Sequence, residues 1–490
     1  MNTTLASTPL GLLHDTAAKS PTSIALHAPG GHTVEYGDLA GLVAETAAAL
    51  AATGVCPGDR VVTRLPNDVP AVLLIFAAWT VGAIAVPLPP STTDSQLHSV
   101  AADCTAALIV VQSLPSDDFS SGSTVLTWSD LIAVETLEQT VHRPVAGAEP
   151  ALLMYTSGST SKPKGVICPA AAVVFAVDSI GQRLEYRASD QVLLMSPLSF
   201  DYGLYQILLS FSAGASVVLA DAADALGLLK TIRSRPVTVV PAVPAVAGML
   251  HTLLSRGGSI ETVRMVTSTG ADLPPSRIAQ LRGVFPNAAI IAMYGITECK
   301  RVTIAEPDID RHRPGSVGRA IPGTKVSIVD DDGQEVETGN EGQIVAIGPH
   351  VMSGYWNAEH LGTDAATGER CLFTGDYGRV DPDGHLYFTG RRDDIFKSNG
   401  VRTSVSEISA AVESLDCVQS VIVLKPTEER GLAIVVTATA SEPAVLTALS
   451  ALLEPAKMPT RCVVLEELPR TANGKVDTRR AVLALTKETP

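Results

Sequence analysis

Short apolar runs alternate with helix-like patterns along most of this 490-residue chain. An uncharged stretch over 69–93 begins near Pro70, breaks at Gly82 and continues as the apolar run 84–88. Proline suits the first turn of a helix and glycine suits its end, so the stretch predicts a buried helix and a core strand rather than a membrane span. The same order recurs over 202–220. Strands that alternate with helices predict an α/β fold whose parallel sheets are covered on both faces.

The pattern changes after residue 323, where short strand-like segments are separated by Asp-Gly pairs at 332–333 and 383–384. Because Asp-Gly between apolar segments is typical of hairpin turns, we expect a β-rich subdomain over about 323–390. Helix and strand alternation then resumes to the end of the chain. We therefore expect a large N-terminal domain over 1–392 and a small C-terminal domain over 393–490.

Composition excludes several classes of protein. With 46% hydrophobic and 18% charged residues, the chain is too apolar to be disordered. Its 36 Lys and Arg against 51 Asp and Glu give a net charge of −15, and no cationic stripe is present, so nucleic acid and membranes are not expected partners. The seven cysteines form no Cys-x-x-Cys pair, and the first residues lack a signal-peptide pattern. These features predict reduced thiols in the cytoplasm and no zinc site.

The strongest local signal is the segment TSGSTSKPKG at 156–165, which follows the apolar run 151–155. Small hydroxyl residues and glycines let backbone N–H groups approach a polyphosphate, and the two lysines add positive charge. A solvated Ser/Gly loop is the ordinary alternative. Motifs of P-loop ATPases, dinucleotide oxidoreductases, elbow hydrolases and zincins do not occur in the sequence, so these classes lose support.

Further motifs follow this loop in order: MYGITE at 293–298, TGD at 374–376, GRRD at 390–393 and PRTANGK at 469–475. With them, over about 34–475, the chain resembles the adenylate-forming superfamily, which contains acyl- and aryl-CoA synthetases, nonribosomal peptide synthetase adenylation domains and luciferases. The resemblance implies two doubly wound sheets with the β-rich subdomain, and a mobile α+β C-terminal domain. It also implies the reaction of a carboxylate with MgATP to give acyl-AMP and pyrophosphate, followed by thioester formation.

The resemblance also assigns the nucleotide contacts, with ATP and Mg²⁺ as the implied cofactors. Tyr294 stacks on adenine, Thr297 meets a phosphate and Glu298 holds Mg²⁺, which are roles that suit an aromatic ring, a hydroxyl and a carboxylate. Asp376 is suited to accept both ribose hydroxyl protons. A buried tyrosine beside a surface carboxylate is the ordinary alternative for this segment. The implied ATP-binding residues are Thr156, Ser157, Gly158, Ser159, Thr160, Lys164, Gly270, Ala271, Tyr294, Gly295, Asp376 and Arg391.

The catalytic residues that the resemblance implies are Lys475, Thr297 and Glu298. A flexible cation on a mobile domain cancels the repulsion between a carboxylate and a polyphosphate as they approach. Asp393 is the implied hinge of that domain. The loop that the domain then presents to a pantetheine thiol contains Lys397, Gly400 and Arg402. A plain turn before a helix is the alternative for this loop.

Asp201 stands where amino-acid-activating members of the superfamily place a carboxylate against the substrate amine. A desolvated contact of that kind rejects acids that lack an amine. An aspartate at this position is also a good helix N-cap, and this alternative is open. Arg301 is suited either to bind a second carboxylate on the substrate or to pair with Glu298 or Glu306. The remaining pocket residues carried over in this way are Tyr202, Tyr205, Thr267, Thr269, Met293 and Val302.

Two positions depart from the family pattern. Ser161 stands where the phosphate loop usually has glycine, and Ala170 stands where many members have histidine. Neither position belongs to the residues that carry the chemistry, but both weaken the detailed assignment. The departure at Ala170 counts slightly against an acyl-CoA synthetase.

Three functions are compatible with these residues. The one we favour is a stand-alone enzyme that activates an amino or β-amino acid and loads it on a separate carrier protein, since the chain ends soon after Lys475. The second is an acyl- or aryl-CoA ligase that uses free coenzyme A, and an amide-forming variant is also open. The third is a non-catalytic nucleotide-binding protein, against which the joint presence of Lys164, Glu298, Asp376, Arg391 and Lys475 argues.

Overall fold

Two large sheets and three small ones organise the chain in the computed structural model. It describes residues 8–115, 122–135, 143–156, 163–255, 257–358, 363, 368–398, 401–427, 430–469 and 478–486. The helices are α1 (Gly11–Lys19), α2 (Tyr36–Ala52), α3 (Val69–Thr80), α4 (Asp94–Asp103), α5 (Trp128–Ile132), α6 (Ala170–Leu184), α7 (Asp201–Ala213), α8 (Ala225–Ser234), α9 (Pro244–Leu254), α10 (Pro275–Val284), α11 (Val405–Glu413), α12 (Glu442–Leu449) and α13 (Thr478–Thr486). Short 3-10 helices cover Ile309–Arg311, Arg392–Asp394 and Pro455–Lys457.

The strands are, in chain order, β1 (Ile24–His27), β2 (Thr33–Glu35), β3 (Arg60–Arg64), β4 (Ile84–Leu88), β5 (Leu108–Val111), β6 (Thr124–Thr127), β7 (Pro150–Thr156), β8 (Lys164–Pro169), β9 (Gln191–Leu194), β10 (Ser216–Leu219), β11 (Val239–Pro241), β12 (Met265–Ser268), β13 (Ala289–Tyr294), β14 (Thr303–Ile304), β15 (Arg319–Ala320), β16 (Lys325–Val329), β17 (Gly342–Ile347), β18 (Gly354–Tyr355), β19 (Cys371–Val380), β20 (Leu386–Arg391), β21 (Ile395–Ser398), β22 (Val401–Ser404), β23 (Val418–Leu424), β24 (Ala433–Ala438) and β25 (Arg461–Val464).

The two large sheets are parallel in their centres. The nine-stranded sheet is antiparallel at both edges, whereas the seven-stranded sheet is antiparallel only at the edge formed by β18 and β8. The nine-stranded sheet has the order β15-β14-β13-β12-β11-β9-β10-β1-β2, and the seven-stranded sheet has the order β18-β8-β7-β4-β3-β5-β6. β7 and β8 are antiparallel, as are β13 and β14, because the segment between each pair is too short for a crossover helix. The predicted α/β fold is thus confirmed. The structure differs from the prediction in that the sheets also contain antiparallel strands at their edges.

Each large sheet has a core on both of its faces. On β9, Val192 and Leu194 pack into a central core with residues of α1, α2, α3, α6 and α7, whereas Leu193 packs outward with residues of α8, α9 and α10. On the other sheet, Val61 faces the central core and Val62 faces an outer core with α4. Successive strand residues point to opposite faces, so each sheet packs on helices of the central core with one face and on outer helices with the other. The layers therefore follow the order helix, sheet, helix, sheet, helix.

The uncharged stretch near residue 70 forms the buried helix and strand that the sequence predicts. Asp68 caps α3 by accepting a hydrogen bond from the Val69 N–H, and Pro70 lies in the first turn. All residues of β4, which follows, are buried. α7 likewise ends at Gly214, whose φ of 73° is a left-handed conformation that glycine adopts readily. No helix in the described ranges has the length and apolarity needed to span a membrane.

The smaller sheets follow in the second half of the chain. β16, β17, β19 and β20 form an antiparallel sheet, which is the predicted β-rich subdomain, with turns at Gly333 and Gly384. β21 and β22 form a hairpin. β23, β24 and β25 pack with α11, α12 and α13 around separate cores that include Ile408, Ile422 and Ile434. This C-terminal unit agrees with the predicted fold class.

A buried histidine makes the stability of this fold sensitive to acid. His350 is 0% exposed, and neither ring nitrogen has a hydrogen-bond partner among the described residues. Burial, together with the positive charges of Lys300 and Arg370, lowers the pKa of His350 from its ordinary 6.5 to about 3. The unfolded chain therefore binds a proton below pH 6.5 that the folded chain takes up only near pH 3.

We expect the free energy of unfolding to fall as the pH drops, with about 2 kcal/mol lost through this histidine at pH 5, because stability falls with falling pH wherever the unfolded state binds more protons than the folded state. His350→Leu should lose this part of the pH dependence, whereas the control His32→Leu, at an exposed position, should retain it. Urea unfolding followed by the fluorescence of Trp79, Trp128 and Trp356 measures the effect. If the free energy of unfolding depends on pH in the same way for wild type and His350→Leu, His350 is not the source of the acid sensitivity.

Candidate active site

Tyr294, Asp376 and Arg391 meet at the end of β13. Tyr294 is the last residue of that strand, and Asp376 and Arg391 are opposite each other on β19 and β20. The Tyr294 hydroxyl donates a hydrogen bond of 2.7 Å to Oδ2 of Asp376, and Nε of Arg391 lies 3.3 Å from Oδ1. Burial raises the pKa of Asp376, although the hydrogen bond from Tyr294 opposes the shift. The fold therefore brings three of the predicted nucleotide contacts together.

Glu298 is held in place by a tyrosine from β18. The Tyr355 hydroxyl donates a hydrogen bond of 2.8 Å to Oε1 of Glu298, and the Glu298 carbonyl accepts one from the Met352 N–H. The Lys164 ammonium lies 5.3 Å from the centre of the Tyr355 ring, within the range of a cation–π contact. Burial and the charge of Glu298 raise the pKa of the Tyr355 hydroxyl, so it remains a donor.

The described ends of the phosphate loop lie side by side. Thr156 at the end of β7 pairs with Lys164 at the start of β8. The predicted residues of the loop that lie outside the described part of the chain are Ser157, Gly158, Ser159 and Thr160. Gly270 and Ala271, after β12, are exposed, and Gly270 adopts a φ of 89°, which favours glycine.

The predicted residues of the C-terminal unit are only partly described. Lys475 and Gly400 lie outside the described residues. Asp393 lies in a 3-10 helix, and Lys397 and Arg402 are opposite each other in the hairpin of β21 and β22. For these three residues the structure describes the backbone alone. Their roles stay predictions.

A largely buried ion pair joins Asp201 to Arg301, which are 100 positions apart in sequence. Nη1 of Arg301 lies 2.8 Å from Oδ2 of Asp201, and the two side chains are 5% and 14% exposed respectively. The alternative that Asp201 caps a helix is wrong, because α7 begins at Asp201 with Phe200 as its N-cap, and the Asp201 carboxylate contacts Arg301 instead. Pairing of Arg301 with Glu298 or Glu306 is also wrong, since those carboxylates have other partners.

Two of the other predicted pocket residues, Tyr202 and Tyr205, lie near this ion pair. The Arg301 guanidinium lies 4.7 Å from the centre of the Tyr202 ring, and the Tyr202 hydroxyl donates a hydrogen bond of 2.8 Å to the Thr267 carbonyl. Burial raises the pKa of Tyr205. The nearby charge of Asp201 adds to this rise, and that of Arg301 opposes it. The hydroxyls of Tyr205 and Thr269 are buried without a hydrogen-bond partner in the described part of the chain. The remaining two residues, Met293 and Val302, are buried.

Lys300 is a buried cation that the sequence did not reveal. It is 1% exposed, and its ammonium donates hydrogen bonds of 2.9 Å to Sγ of Cys168 and to the Thr297 carbonyl. It forms no ion pair with a carboxylate of the described residues. A lysine between Glu298 and Arg301 is typical of a solvated surface, so the sequence carried no signal for its burial.

A tight turn after β13 positions these residues. Lys300 has a φ of 62°, which is uncommon for a residue with a side chain. Its carbonyl accepts a hydrogen bond of 2.9 Å from Arg301 and lies against Gly295, where an added Cβ would be 2.0 Å from the carbonyl oxygen. Glycine at position 295 therefore permits the turn that carries Thr297 and Arg301.

We expect Gly295→Ala to destabilise the protein by about 1–3 kcal/mol, because the added methyl group must displace backbone atoms. The control is Gly283→Ala in α10, where no atom lies within 4 Å of the added Cβ. That control should be neutral or stabilising by up to about 1 kcal/mol, since alanine favours the helix more than glycine does. Chemical denaturation gives both values. Equal stability of the two variants would show that the turn tolerates a side chain.

The chain matches one protein family over most of its length. The family model described as AMP-binding enzyme covers residues 13–356. Over 477 residues the chain is 32% identical to the indoleacetate–CoA ligase of Aromatoleum aromaticum, and the match covers 90% of this chain and 91% of that protein.

Two solved structures show the same fold. VinN in complex with L-aspartate is 37% identical to this chain with a TM-score of 0.69, and the match covers 78% of this chain and 98% of VinN. The O-succinylbenzoate coenzyme A synthetase of Bacillus subtilis, in complex with ATP and a magnesium ion, is 26% identical with a TM-score of 0.85. That match covers 95% of this chain and 98% of the synthetase.

Proposed function

The chain belongs to the AMP-binding enzyme family and is an adenylate-forming carboxylate ligase, and from that premise we propose that its substrate is an amino acid with a second carboxylate. ATP is the proposed co-substrate and Mg²⁺ the proposed cofactor of the first step, which releases pyrophosphate and leaves an aminoacyl-AMP. The acyl group then passes to the pantetheine thiol of a separate carrier protein, and AMP is released. The observation that carries the proposal is the buried pair of Asp201 and Arg301.

The ion pair presents both charges that such a substrate needs. Oδ2 of Asp201 contacts Arg301, whereas Oδ1 accepts no hydrogen bond from a described residue. Arg301 uses Nη1 for its hydrogen bonds to Asp201 and to the Lys300 carbonyl. Oδ1 is thus available to a substrate ammonium, and Nη2 and Nε are available to a substrate carboxylate. The L-aspartate bound to VinN belongs to this chemical class.

A buried pair of this kind also accounts for selectivity. A site built to contact charged groups rejects analogues that lack them, because its own groups would then remain buried and unpaired. Asp201 therefore selects for an amine, and Arg301 selects for a second carboxylate. Tyr202 supports both residues, since its ring lies under the guanidinium and its hydroxyl is fixed by Thr267.

The nucleotide contacts fit ATP and Mg²⁺. Oδ1 of Asp376 is buried, and although Nε of Arg391 lies 3.3 Å away, it accepts no well-aligned hydrogen bond from a described residue, so a ribose hydroxyl can donate to it. Tyr355 holds one oxygen of Glu298 and leaves the other for Mg²⁺, which usually binds one or two carboxylates together with phosphates. When bound, Mg²⁺ supplies charge that neutralises those phosphates. The similar synthetase structure contains both ATP and a magnesium ion.

The chemical step joins an oxygen of the substrate carboxylate to the α-phosphorus of ATP while the bond to pyrophosphate breaks. Both reactants are anionic, so a cation that contacts both in the transition state lowers the barrier. We assign this role to Lys475 and a phosphate contact to Thr297. Asp393 is the proposed hinge that lets the unit over 393–490 deliver Lys475 for this step. The same hinge then presents the hairpin of β21 and β22 to the thiol.

Free coenzyme A is the second candidate acceptor, because the relative with 32% identity is an indoleacetate–CoA ligase. Alanine at position 170, where many family members have histidine, is the feature of this sequence that counts against it. None of the seven cysteines is joined in a disulfide, which supports the proposed cytoplasmic location.

We expect ATP–pyrophosphate exchange to be fastest with L-aspartate and roughly 100-fold slower with β-alanine, L-alanine and succinate. Each of these three acids lacks one charged group of L-aspartate, so the panel measures the contribution of each contact. Indoleacetate is included as the substrate of the alternative function. Fastest exchange with indoleacetate would reassign the protein to the aryl-CoA ligases.

Asp201→Asn should lower kcat/KM for L-aspartate by roughly 100-fold and change the slow reaction with succinate little, because only the amine contact is removed. The control is Asp190→Asn. Asp190 forms another buried ion pair, 2.5 Å from Arg264, at the opposite ends of the strands in the same sheet. That variant should lose stability but keep the ratio of L-aspartate to succinate. If the ratio of kcat/KM for L-aspartate to kcat/KM for succinate is unchanged in Asp201→Asn, Asp201 does not contact the substrate amine.

A further inference from the structure

Asp201 already has a cationic partner in the protein without substrate. Nη1 of Arg301 lies 2.8 Å from Oδ2 of Asp201. The hydrogen bond to the Lys300 carbonyl and the contact with the Tyr202 ring hold the guanidinium in this place. An incoming amine therefore meets a carboxylate whose charge is already balanced by a fixed arginine.

A second buried cation, Lys300, directly precedes Arg301 in the same turn. The Lys300 ammonium contacts Sγ of Cys168 and the Thr297 carbonyl, and neither of these groups is a carboxylate. Both cations are almost completely buried, with exposures of 1% for Lys300 and 4% for Arg301. Charges interact strongly where water is excluded. The turn thus fixes two positive charges near Asp201, whereas Glu298, the other carboxylate of the turn, accepts a hydrogen bond from Tyr355.

We propose that Arg301 determines substrate choice by exclusion as well as by attraction, an inference that rests on the proposed function. An amino acid with the reacting carboxylate alone would place its ammonium beside Oδ1 of Asp201 and next to the guanidinium, so two like charges would lie side by side where water is largely excluded. An amino acid with a second carboxylate brings the compensating negative charge. Arg301 therefore repels the competing substrates in addition to binding the correct one.

The test is Arg301→Met, because methionine keeps a long, flexible side chain over Tyr202 and removes the charge. Exclusion predicts that kcat/KM in pyrophosphate exchange rises about 10-fold for β-alanine and L-alanine, while it falls about 100-fold for L-aspartate. If Arg301 only contacts the second carboxylate, Arg301→Met should lower kcat/KM for L-aspartate and leave the values for β-alanine and L-alanine unchanged. Arg301→Lys retains the positive charge and should keep the monocarboxylic substrates slow.

Arg319→Met is the matched control, since Arg319 is half-exposed on β15 and pairs with Glu306 outside the pocket. Arg319→Met should leave kcat/KM for L-aspartate, β-alanine and L-alanine unchanged. Melting temperatures show whether each variant is folded, and Arg301→Gln replaces the methionine variant if that one does not fold.

The outcomes separate the two proposals. If wild type prefers L-aspartate but the uncharged, folded variants gain nothing with β-alanine or L-alanine, exclusion is overturned and the proposed function stands. If wild type exchanges β-alanine or L-alanine as fast as L-aspartate, the proposed function itself fails. A gain with the monocarboxylic substrates in Arg301→Met, together with none in Arg301→Lys, supports exclusion.

Discussion

A buried ion pair between Asp201 and Arg301 links the start of α7 to the turn after β13 and fixes the geometry of the pocket. Such a pair tolerates little displacement, because separation of the two charges would leave each of them buried without a partner. The helix must therefore begin at Asp201, and the turn must bring the Arg301 guanidinium to it. Gly295 and the left-handed backbone of Lys300 give the turn that shape. The substrate pocket, the nucleotide site and the end of β13 are thereby coupled.

The parallel strands explain why these groups meet. In α/β proteins, ligands bind beyond the carboxyl ends of the strands, where segments that are distant in sequence come together. Thr267 and Tyr294 lie at those ends of β12 and β13. The four-stranded sheet adds Asp376 and Arg391 through the pairing of β19 with β20. No single motif forms the site, because each supplies one or two groups to a common edge.

Under the proposed function, chemistry and selectivity are divided between different parts of the protein. The nucleotide contacts come from segments that many members of the family share, and they suit any carboxylate that reaches the phosphate. The charges around Asp201 belong to the proposed substrate pocket, and under the proposed function their balance decides which acid is stabilised there. Burial gives this balance its strength, since the same charges in water would discriminate weakly.

Local patterns along the chain are enough to predict the fold class, the positions of α3, β4 and the end of α7, and membership of the family, because these follow from local periodicity, from proline and glycine at helix ends, and from motifs in a fixed order. The sequence also placed Asp376, Arg391 and Asp201 among the candidate residues. Only the tertiary structure decided that Asp201 pairs with Arg301 rather than capping a helix, that Tyr355 holds Glu298, and that Lys300 is buried. The physical reason is that a charged side chain has the same local pattern whether it is solvated or paired, and its partner is set by packing between segments about a hundred residues apart.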